Sequence, residues 1–402
     1  MNPRIRPATA RPVVVLMATP IAILTAVLAT LLFPPAASAQ PEYATRFSFT
    51  SCDHATILHV TDAWPGAGEL VYALVPRGTR APEGDFTAVL TVPVRRVVSL
   101  STTFLPHIVS LDRTETLVAV DTGAYVYDET VRRGVARGDI AEVGASPAVD
   151  IETLIELQPD LVLLSAIAGD DPVLSALERA AIPALVVADW RELTPLGRAE
   201  WVRVFGLIFA RSDAADALFA RVAADYTALA DRVDSAVGGA AVGGAAGGGK
   251  TGAPAGNRPR VLVNAPYQGT WALPAGNSYT ASLLSDAGAD YLWNDAPGTG
   301  TVFLDIEAVV SRALHADYWV NLGYGWRSRS DALESDPRFA ALPVYRENRM
   351  YHYNRRVNEA GGNDFWESGA ARPDLVLSDL VSIFHPSLLP GYEAVYYRRL
   401  DP

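Results

Sequence analysis

The chain has 402 residues, of which 50% are hydrophobic, and its formal net charge at pH 7 is −12. This length predicts two or three domains, and the apolar content is sufficient for large cores. The acidic balance argues against nucleic acid as a partner, because neutralising phosphates requires lysine and arginine.

The N-terminal 39 residues have the pattern of an export signal. A basic start precedes an apolar run over residues 13–33, and a small-residue A-S-A cleavage site ends at Ala39. We expect a cleaved signal peptide over residues 1–39 and a periplasmic location. An uncleaved anchor is the alternative, because the apolar run is long enough to span a bilayer. The only cysteine is Cys52, which excludes an internal disulfide.

Residues 40–92 are typical of a small β-rich extension. Short runs of β-branched and aromatic residues, at 46–50, 56–60 and 69–75, are separated by Pro/Gly turn signals. We predict a meander that packs on the domain that follows it.

Residues 93–197 alternate short apolar strands with amphipathic helices. Such alternation predicts a parallel sheet with helices on both faces. Ligands of open sheets bind beyond the carboxyl ends of the strands. The predicted loops there cover residues 101–103, 121–127, 146–147 and 165–170.

Residues 198–237 have apolar positions at helical spacing, and Gly206 is the one weak helix former among them. This pattern predicts one long helix that joins two α/β units. The next segment, 238–258, is rich in Gly and Ala and predicts a flexible loop. Its stretch G-A-A-G-G-G-K-T at 244–251 matches the phosphate-loop pattern, but the required strand before it and helix after it are missing. We therefore predict no nucleotide site.

Residues 259–402 repeat the strand–helix order of the first unit. The stretch L-D-I-E that ends at Glu307 parallels V-D-I-E that ends at Glu152, and a predicted strand follows each short helix. The repeat predicts a second α/β lobe and places one exposed glutamate on each lobe.

The stretch from Val143 to Val162 resembles a known family. Val143-Gly144, then V-D-I-E, then P-D-L-V after Gln158 stand in the order and spacing of the signature of periplasmic binding proteins for iron–siderophores and cobalamin. These proteins are the substrate-binding subunits of ABC importers. The resemblance covers about residues 95–390 and leaves the segment before it outside the common core.

The resemblance implies the fold class: α/β, with two Rossmann-like lobes joined by one long helix, as in class III periplasmic binding proteins. The small N-terminal β extension is an addition to it. The implied function is to capture an iron–siderophore, cobalamin, haem or similar metal–organic complex between the lobes and to deliver it to an inner-membrane ABC permease. We expect a monomer with no enzymatic activity and no cofactor of its own.

In the resembled family, glutamates at the positions of Glu152 and Glu307 meet arginines of the permease. Carboxylate–arginine pairs give bidentate geometry and steer docking. The alternative is that both are solvent-exposed helix glutamates without a partner.

Aromatic residues in loops after predicted strands are the candidate walls of the ligand cleft, because they offer rigid contact area with a polar tip. For each of them, packing in the core is the alternative. An arginine after a strand is suited to an anionic ligand. The predicted ligand-binding residues are Tyr125, Tyr127, Tyr267, Trp271, Trp326, Arg355 and Trp366.

Direct metal binding and catalysis have little support in the sequence. The six histidines are scattered without H-x-x-x-H or H-E-x-x-H spacing, and there is no G-x-S-x-G motif. Cys52 lies outside the α/β lobes. The alternative function is a two-lobed, chelatase-like enzyme acting on a metal–tetrapyrrole, since fold alone does not exclude chemistry.

Overall fold

The structure, a computed structural model, describes residues 40–238, 258–323 and 325–402. The predicted signal segment and most of the predicted Gly/Ala-rich loop, including its phosphate-loop-like stretch, lie outside the described residues. Among those that are described, no helix has the length and apolarity needed to cross a membrane.

The N-terminal extension forms a four-stranded sheet in the order β1-β2-β3-β4. Its strands are Phe47–Cys52, Ala55–Val60, Leu70–Pro76 and Ala88–Val92. The first three pair antiparallel, and β4 runs parallel to β3. This confirms the predicted β extension. The sheet packs on the first lobe, where the Tyr72 hydroxyl accepts a hydrogen bond from the Val186 amide at 3.2 Å.

Two buried glutamates of the first lobe hold the arm that precedes β1. The Glu200 carboxylate accepts hydrogen bonds from the amides of Glu42, Tyr43 and Ala44 at 2.7–2.8 Å. The Glu192 carboxylate accepts from the next two amides along the arm, at 2.9–3.1 Å. The extension is therefore fixed to the lobe by charge-assisted bonds as well as by apolar packing.

The first lobe is a five-stranded parallel sheet in the order β7-β6-β5-β8-β9. Its strands are β5 Val97–Ser99, β6 Leu117–Val120, β7 Ala141–Glu142, β8 Leu161–Leu164 and β9 Ala184–Val186. The helices between them are α1 Leu105–Ser110, α2 Glu129–Arg137, α3 Ile151–Leu157 and α4 Pro172–Arg179. Right-handed crossovers place α1 and α2 on one face of this sheet and α3 and α4 on the other.

The predicted single helix over residues 198–237 is wrong in its first part. The chain forms three helices, α5 Pro195–Ala199, α6 Val202–Ile208 and α7 Ser212–Val237. Between α6 and α7 the chain turns, and Ala210 adopts a left-handed φ of 52°. The two helices approach closely at Gly206, where a Cβ would lie 2.6 Å from that of Ala215. The glycine therefore permits a tight helix pair, and α7 alone is the long connector.

The second lobe has a five-stranded sheet in the order β13-β10-β15-β16-β17 and a three-stranded sheet in the order β11-β12-β14. In the larger sheet only β17 runs antiparallel to its neighbour. The strands are β10 Arg260–Val263, β11 Pro266–Tyr267, β12 Thr270–Pro274, β13 Asp290–Tyr291, β14 Thr301–Asp305, β15 Tyr318–Val320, β16 Met350–His352 and β17 Arg398–Arg399. The helices are α8 Tyr279–Asp286, α9 Ile306–Ala313, α10 Arg329–Ser335, α11 Pro343–Arg346, α12 Asp364–Glu367 and α13 Pro373–Phe384.

Helix α7 contributes to the hydrophobic cores of both lobes. Its Phe219 and Val222 belong to the core of the first lobe and the extension. Its Tyr226, Leu229 and Val233 belong to the core of the second lobe. One helix packed into two cores restricts independent motion of the lobes. The two-lobed α/β fold predicted from the sequence is confirmed.

Candidate ligand-binding cleft and docking glutamates

The two lobes meet at the carboxyl ends of β6 and β16. The segment after β6, residues 121–128, contacts the segment after β16, residues 353–367. Both segments lie where open α/β sheets bind ligands. We call this contact the interlobe clamp.

Glu367 is the central residue of the interlobe clamp. Its side chain is buried, and its carboxylate accepts hydrogen bonds from the amides of Tyr127 at 2.6 Å and Asp128 at 2.8 Å. The Glu367 pKa is raised to about 7, chiefly by burial and to a smaller extent by the nearby carboxylates of Asp364 and Asp128, against the two amide donors, which lower it. The carboxyl therefore titrates near neutral pH.

Asn358 and Arg356 complete the interlobe clamp. The Asn358 side-chain amide donates to the carbonyl oxygen of Val126 at 2.7 Å, and its Oδ1 accepts from its own loop. The Arg356 guanidinium lies 5.2 Å from the Tyr127 ring centroid and pairs with Asp364 at 2.9 Å. The charges of Arg356 and Asp364 neutralise each other, and the side-chain amide of Asn358 is hydrogen-bonded. The polar contact between the lobes is therefore stable despite its burial.

Exposed aromatics lie on both sides of the interlobe clamp. Tyr125 is 56% exposed on the first lobe, and Trp366 is 50% exposed on the second. Behind Trp366, the rings of Phe365 and Tyr353 stack at 4.3 Å. Tyr127 is half-buried within the clamp. The structure thus brings Tyr125, Tyr127 and Trp366 together at the junction of the lobes.

Tyr267 lies at the tip of the β11–β12 hairpin and is 77% exposed. This hairpin directly follows the carboxyl end of β10, on the second lobe. Tyr267 is therefore accessible from the edge of the sheet where ligands bind.

Trp271 and Trp326 are core residues, and their prediction as cleft walls is wrong. Trp271 is fully buried on β12, where alternate residues face the core, and its Nε1 donates to the Val263 carbonyl at 3.0 Å. Trp326 is 8% exposed, and both tryptophans pack against Trp319 with ring centroids 5.6 Å apart. Successive side chains of a strand point to opposite faces of the sheet, and the position of Trp271 on β12 places it on the face toward the core.

Arg355 is placed away from the other predicted ligand-binding residues. It lines a cavity of about 430 Å³ on the second lobe with Tyr351 and Arg399, and none of the other predicted residues lines that cavity. Arg356, the next residue, is the one that reaches the first lobe. Arg355 and Arg356 lie in a bend after β16 and have different surroundings, which the sequence did not predict.

Two exposed apolar residues were not predicted as cleft residues. Ile167 is 75% exposed in the loop after β8, and Phe303 is 69% exposed on β14, cross-strand from Ala272. The sequence pattern assigned Ile167 to a loop and Phe303 to the internal repeat, and neither assignment predicts a ligand-binding side chain. Their exposure in the structure identifies both as candidate cleft residues. Large exposed apolar side chains beside a cleft indicate a ligand or partner surface.

The N-terminal extension reaches the loop that carries Ile167. A Cβ at Gly169 would lie 3.5–3.7 Å from the indole of Trp64, which is an ordinary packing distance. Near it, Arg191 pairs with Asp62 at 2.7 Å and lies over the Trp190 ring. The extension therefore supports one of the loops at the carboxyl edge of the sheet.

A cavity of about 1060 Å³ adjoins the interlobe clamp on the side of α1 and α7. Its lining includes Tyr127, Glu367 and the linker-helix residues Leu218 and Arg221, but neither Tyr125 nor Trp366. The two exposed aromatics therefore do not line this cavity.

The predicted docking glutamates occupy equivalent positions in the two lobes. Glu152 and Glu307 are each the second residue of a short helix, α3 and α9. The aspartate before each helix caps it: Asp150 accepts from the Thr153 amide at 3.1 Å and Asp305 from the Ala308 amide at 2.8 Å. The same local fold therefore presents both glutamates.

The two glutamates differ in their surroundings. Within the described residues, the exposed Glu152 side chain makes no hydrogen bond or ion pair. Glu307 is paired with Arg338, whose guanidinium also pairs with Asp336. A partner arginine would meet a free carboxylate on the first lobe and an occupied one on the second.

In residues 40–238, 258–323 and 325–402, no group of three or more His, Cys, Asp or Glu side chains is arranged to hold a metal ion. Two of the histidines are buried: burial lowers the pKa of His107 to about 3 and that of His352 to about 4. Both are therefore neutral at physiological pH.

The fold and the interlobe clamp define a two-lobed α/β binding protein with a long connecting helix. The family model described as periplasmic binding protein matches residues 97–357. The chain therefore belongs to the periplasmic binding protein family, which confirms the resemblance seen in the sequence. Families of this kind consist of binding proteins for transport.

The chain is also similar to other proteins, and the solved structures among them share its fold. An uncharacterized lipoprotein of Methanocaldococcus jannaschii is 23% identical over 337 residues, which cover 81% of this chain and 74% of the relative. A periplasmic heme-binding protein from Pseudomonas aeruginosa superimposes with a TM-score of 0.56 at 20% identity, covering 77% of this chain and 99% of that one. The nickel–histidine complex of Helicobacter pylori CeuE gives a TM-score of 0.53 at 15% identity, covering 76% and 87%. The family and the lipoprotein relative indicate an extracytoplasmic location.

Proposed function

We propose that the protein is the substrate-binding subunit of an ABC importer and that it binds a metal–organic complex, such as haem, a ferric siderophore or cobalamin, between its lobes. The observation that carries the proposal is the placement of exposed aromatics, Tyr125 and Trp366, on opposite sides of the interlobe contact in a member of this family. Flat aromatic surfaces suit a large, rigid organic ligand. The similarity to a periplasmic heme-binding protein and to a protein solved as a nickel–histidine complex supports the class of ligand.

In this proposal, Tyr267 and Phe303 extend the wall of the second lobe, and Ile167 extends that of the first. All three are exposed: Ile167 and Tyr267 lie in segments that follow the carboxyl ends of β8 and β10, and Phe303 lies on β14, in the small sheet that contains the Tyr267 hairpin. The metal arrives already coordinated by its organic ligand. An enzyme that acts on a metal–tetrapyrrole is not favoured, since the matching family consists of binding proteins.

The test is a titration of intrinsic tryptophan fluorescence with haem, ferric siderophores and cobalamin. We expect quenching by one class of complex, and a loss of affinity of about tenfold or more when Trp366 is replaced by Leu or Tyr125 by Ala. Leu314→Ala is the matched control, because Leu314 is exposed but precedes β15, at the opposite edge of the sheet. Absence of binding by every complex, or equal loss in the control, would refute the proposed cleft.

We further propose that Glu152 and Glu307 dock on arginines of the membrane permease after removal of residues 1–39 on export, and that the protein works as a monomer. Both glutamates are exposed in the first turn of a capped helix, where a carboxylate is available for bidentate pairing. Docking on the second lobe requires exchange of Arg338 for a permease arginine.

Charge reversal tests the docking proposal. Glu152→Arg combined with Glu307→Arg should abolish uptake by cells and leave the affinity for the complex unchanged. Glu156→Arg combined with Glu334→Arg is the control, because both residues are exposed acids, one on each lobe, and Glu156 lies on the same helix as Glu152. Normal uptake by the double reversal would rule out docking through these two residues.

A further inference from the structure

We propose that Glu367 is a positioning residue of the ligand cleft: its carboxylate fixes the segment that carries Tyr125 and Tyr127 to the helix that carries Trp366, and its protonation state sets the affinity for the ligand. This inference rests on the proposed function, because it assigns the exposed aromatics to the cleft. It goes beyond that function by adding a residue that the ligand need not touch and a dependence on pH.

Protonation of Glu367 weakens its contact with the first lobe. Each carboxylate oxygen of Glu367 accepts one amide of the opposite lobe, Oε2 from Tyr127 and Oε1 from Asp128. A neutral carboxyl group has one oxygen occupied by a proton, so it accepts well at one position only. One amide then loses its partner in a buried contact, which is costly because the group is already removed from water.

The contacts beside Glu367 link its carboxylate to the positions of Tyr125 and Trp366. Asn358 holds the carbonyl oxygen of Val126, so the amides and the carbonyl of one short stretch are all bound by the second lobe. Tyr125 precedes this stretch, and a Cβ at Gly362 would lie 2.6 Å from the Tyr125 carbonyl oxygen. Trp366 stands next to Glu367 on α12. Loosening the carboxylate therefore changes the position of Tyr125 relative to Trp366.

The charges around Glu367 come from each element packed on it. From the first lobe and the linker helix they are the Asp128 carboxylate and, in the cavity that Glu367 also lines, Glu129, Arg132 and Arg221. The segment Thr102–Phe104, which packs on α12, contributes no charge. On the second lobe the nearby charges form pairs among themselves, and these pairs are Arg356 with Asp364 and Arg372 with Asp374. Neither pair contains a histidine, so Glu367 is the group of this contact that titrates near neutral pH.

The experiment compares wild type with Glu367→Gln, which keeps the shape and mimics the neutral carboxyl group. Haem affinity and amide hydrogen exchange are measured at pH 6, 7 and 8, with exchange corrected for the intrinsic pH dependence of the chemistry. For wild type, we expect haem affinity about tenfold higher at pH 8 than at pH 6, within the usual range of coupling between sites. Glu367→Gln should bind at all three pH values as wild type does at pH 6.

Hydrogen exchange gives a readout that does not need a ligand. In wild type, the amides of Tyr127 and Asp128 should be more protected at pH 8 than at pH 6, and in Glu367→Gln this difference should vanish. Glu359→Gln is the matched control, because Glu359 is an exposed acid near the same contact and its replacement changes the charge equally. It should keep the wild-type profile in both measurements.

Gly362→Ala separates positioning from charge. A Cβ there would lie 2.5 Å from the Asn358 side-chain nitrogen and 2.6 Å from the Tyr125 carbonyl oxygen, so it forces the two segments apart without changing any titratable group. We expect weaker haem binding at pH 8 and a smaller ratio between pH 8 and pH 6 than in wild type, because the contact through which Glu367 acts is opened. The inference is overturned if Glu367→Gln keeps the wild-type pH dependence of haem affinity, or if its hydrogen exchange at residues 127–128 equals that of wild type at pH 8. Failure of wild type to bind any metal–organic complex would instead refute the proposed function, and the exchange data would still report on the contact.

Discussion

Replacing Glu200 by Gln should detach the arm that fixes the N-terminal extension to the first lobe. Glu200 is fully buried, and its carboxylate accepts three backbone amides of residues 42–44 at 2.7–2.8 Å. It also pairs with Arg203 at 2.9 Å. A Gln side chain has one acceptor oxygen and places an amide nitrogen toward these donors.

The expected cost follows from these contacts. Removing one partner of a buried, hydrogen-bonded ion pair typically costs about 3–5 kcal/mol. We expect Glu200→Gln to lower the free energy of unfolding by about 3 kcal/mol, the low end of this range, for two reasons. Arg203 keeps a second ion pair with Asp216 at 3.1 Å, and the exposed part of the arm is hydrated when it detaches. The equivalent change at Glu178, an exposed acid on α4, should stay within about 0.5 kcal/mol.

Urea unfolding measures the free energy of unfolding of both variants and of wild type, and limited proteolysis reports on the arm. Glu200→Gln should lower the transition midpoint and speed cleavage near residues 42–46, whereas Glu178→Gln should do neither. A loss below about 1 kcal/mol with an intact arm would show that apolar packing, not the carboxylate, holds the extension.

Three more predictions concern the site. Trp271→Ala should lower the free energy of unfolding by about 3–5 kcal/mol in denaturant titrations, because it leaves a cavity in the buried core. Tyr267→Ala should change the free energy of unfolding by less than about 0.5 kcal/mol, because Tyr267 is exposed. Equal costs for the two variants would contradict the assignment of Trp271 to the core and of Tyr267 to the surface. The contribution of Glu367 to the free energy of unfolding should fall as pH rises from about 4.5 to 7, because burial holds its pKa at about 7 in the folded state and the folded form keeps the proton longer; the buried His107 and His352, whose folded pKa values are lowered, contribute with the opposite sign. Glu367→Gln should remove this contribution, so the difference in free energy of unfolding between wild type and variant should change by up to about 3 kcal/mol over the window, measured by urea unfolding at each pH, and a difference that does not change with pH would contradict the prediction. Reversing the charge of Glu152 alone should impair uptake more than reversing that of Glu307 alone, since Glu307 is already paired with Arg338. The opposite order in an uptake assay would argue against the unpaired Glu152 carboxylate as the stronger contact with the permease.

The sequence alone determined the parts of this protein that depend on local order. Alternating apolar runs predicted the two α/β lobes, and the repeated V-D-I-E and L-D-I-E stretches predicted two short helices with Glu152 and Glu307 in equivalent places. The structure shows these helices with matching aspartate caps. Capping and periodicity act over a few residues, so a linear pattern is sufficient to identify them.

Tertiary structure decided which side chains face the cleft and which residues meet across the lobes. Trp271 and Tyr267 lie in one hairpin, yet one is buried and the other exposed, because the strand register and the core beneath it select the face. Glu367 and Tyr127 are 240 residues apart, and no local pattern indicates that a carboxylate of one meets the amide of the other. Likewise, α6 turns back on α7 because Gly206 lets the two helices touch. Such contacts depend on how distant segments pack, and that information is absent from the spacing of residues along the chain.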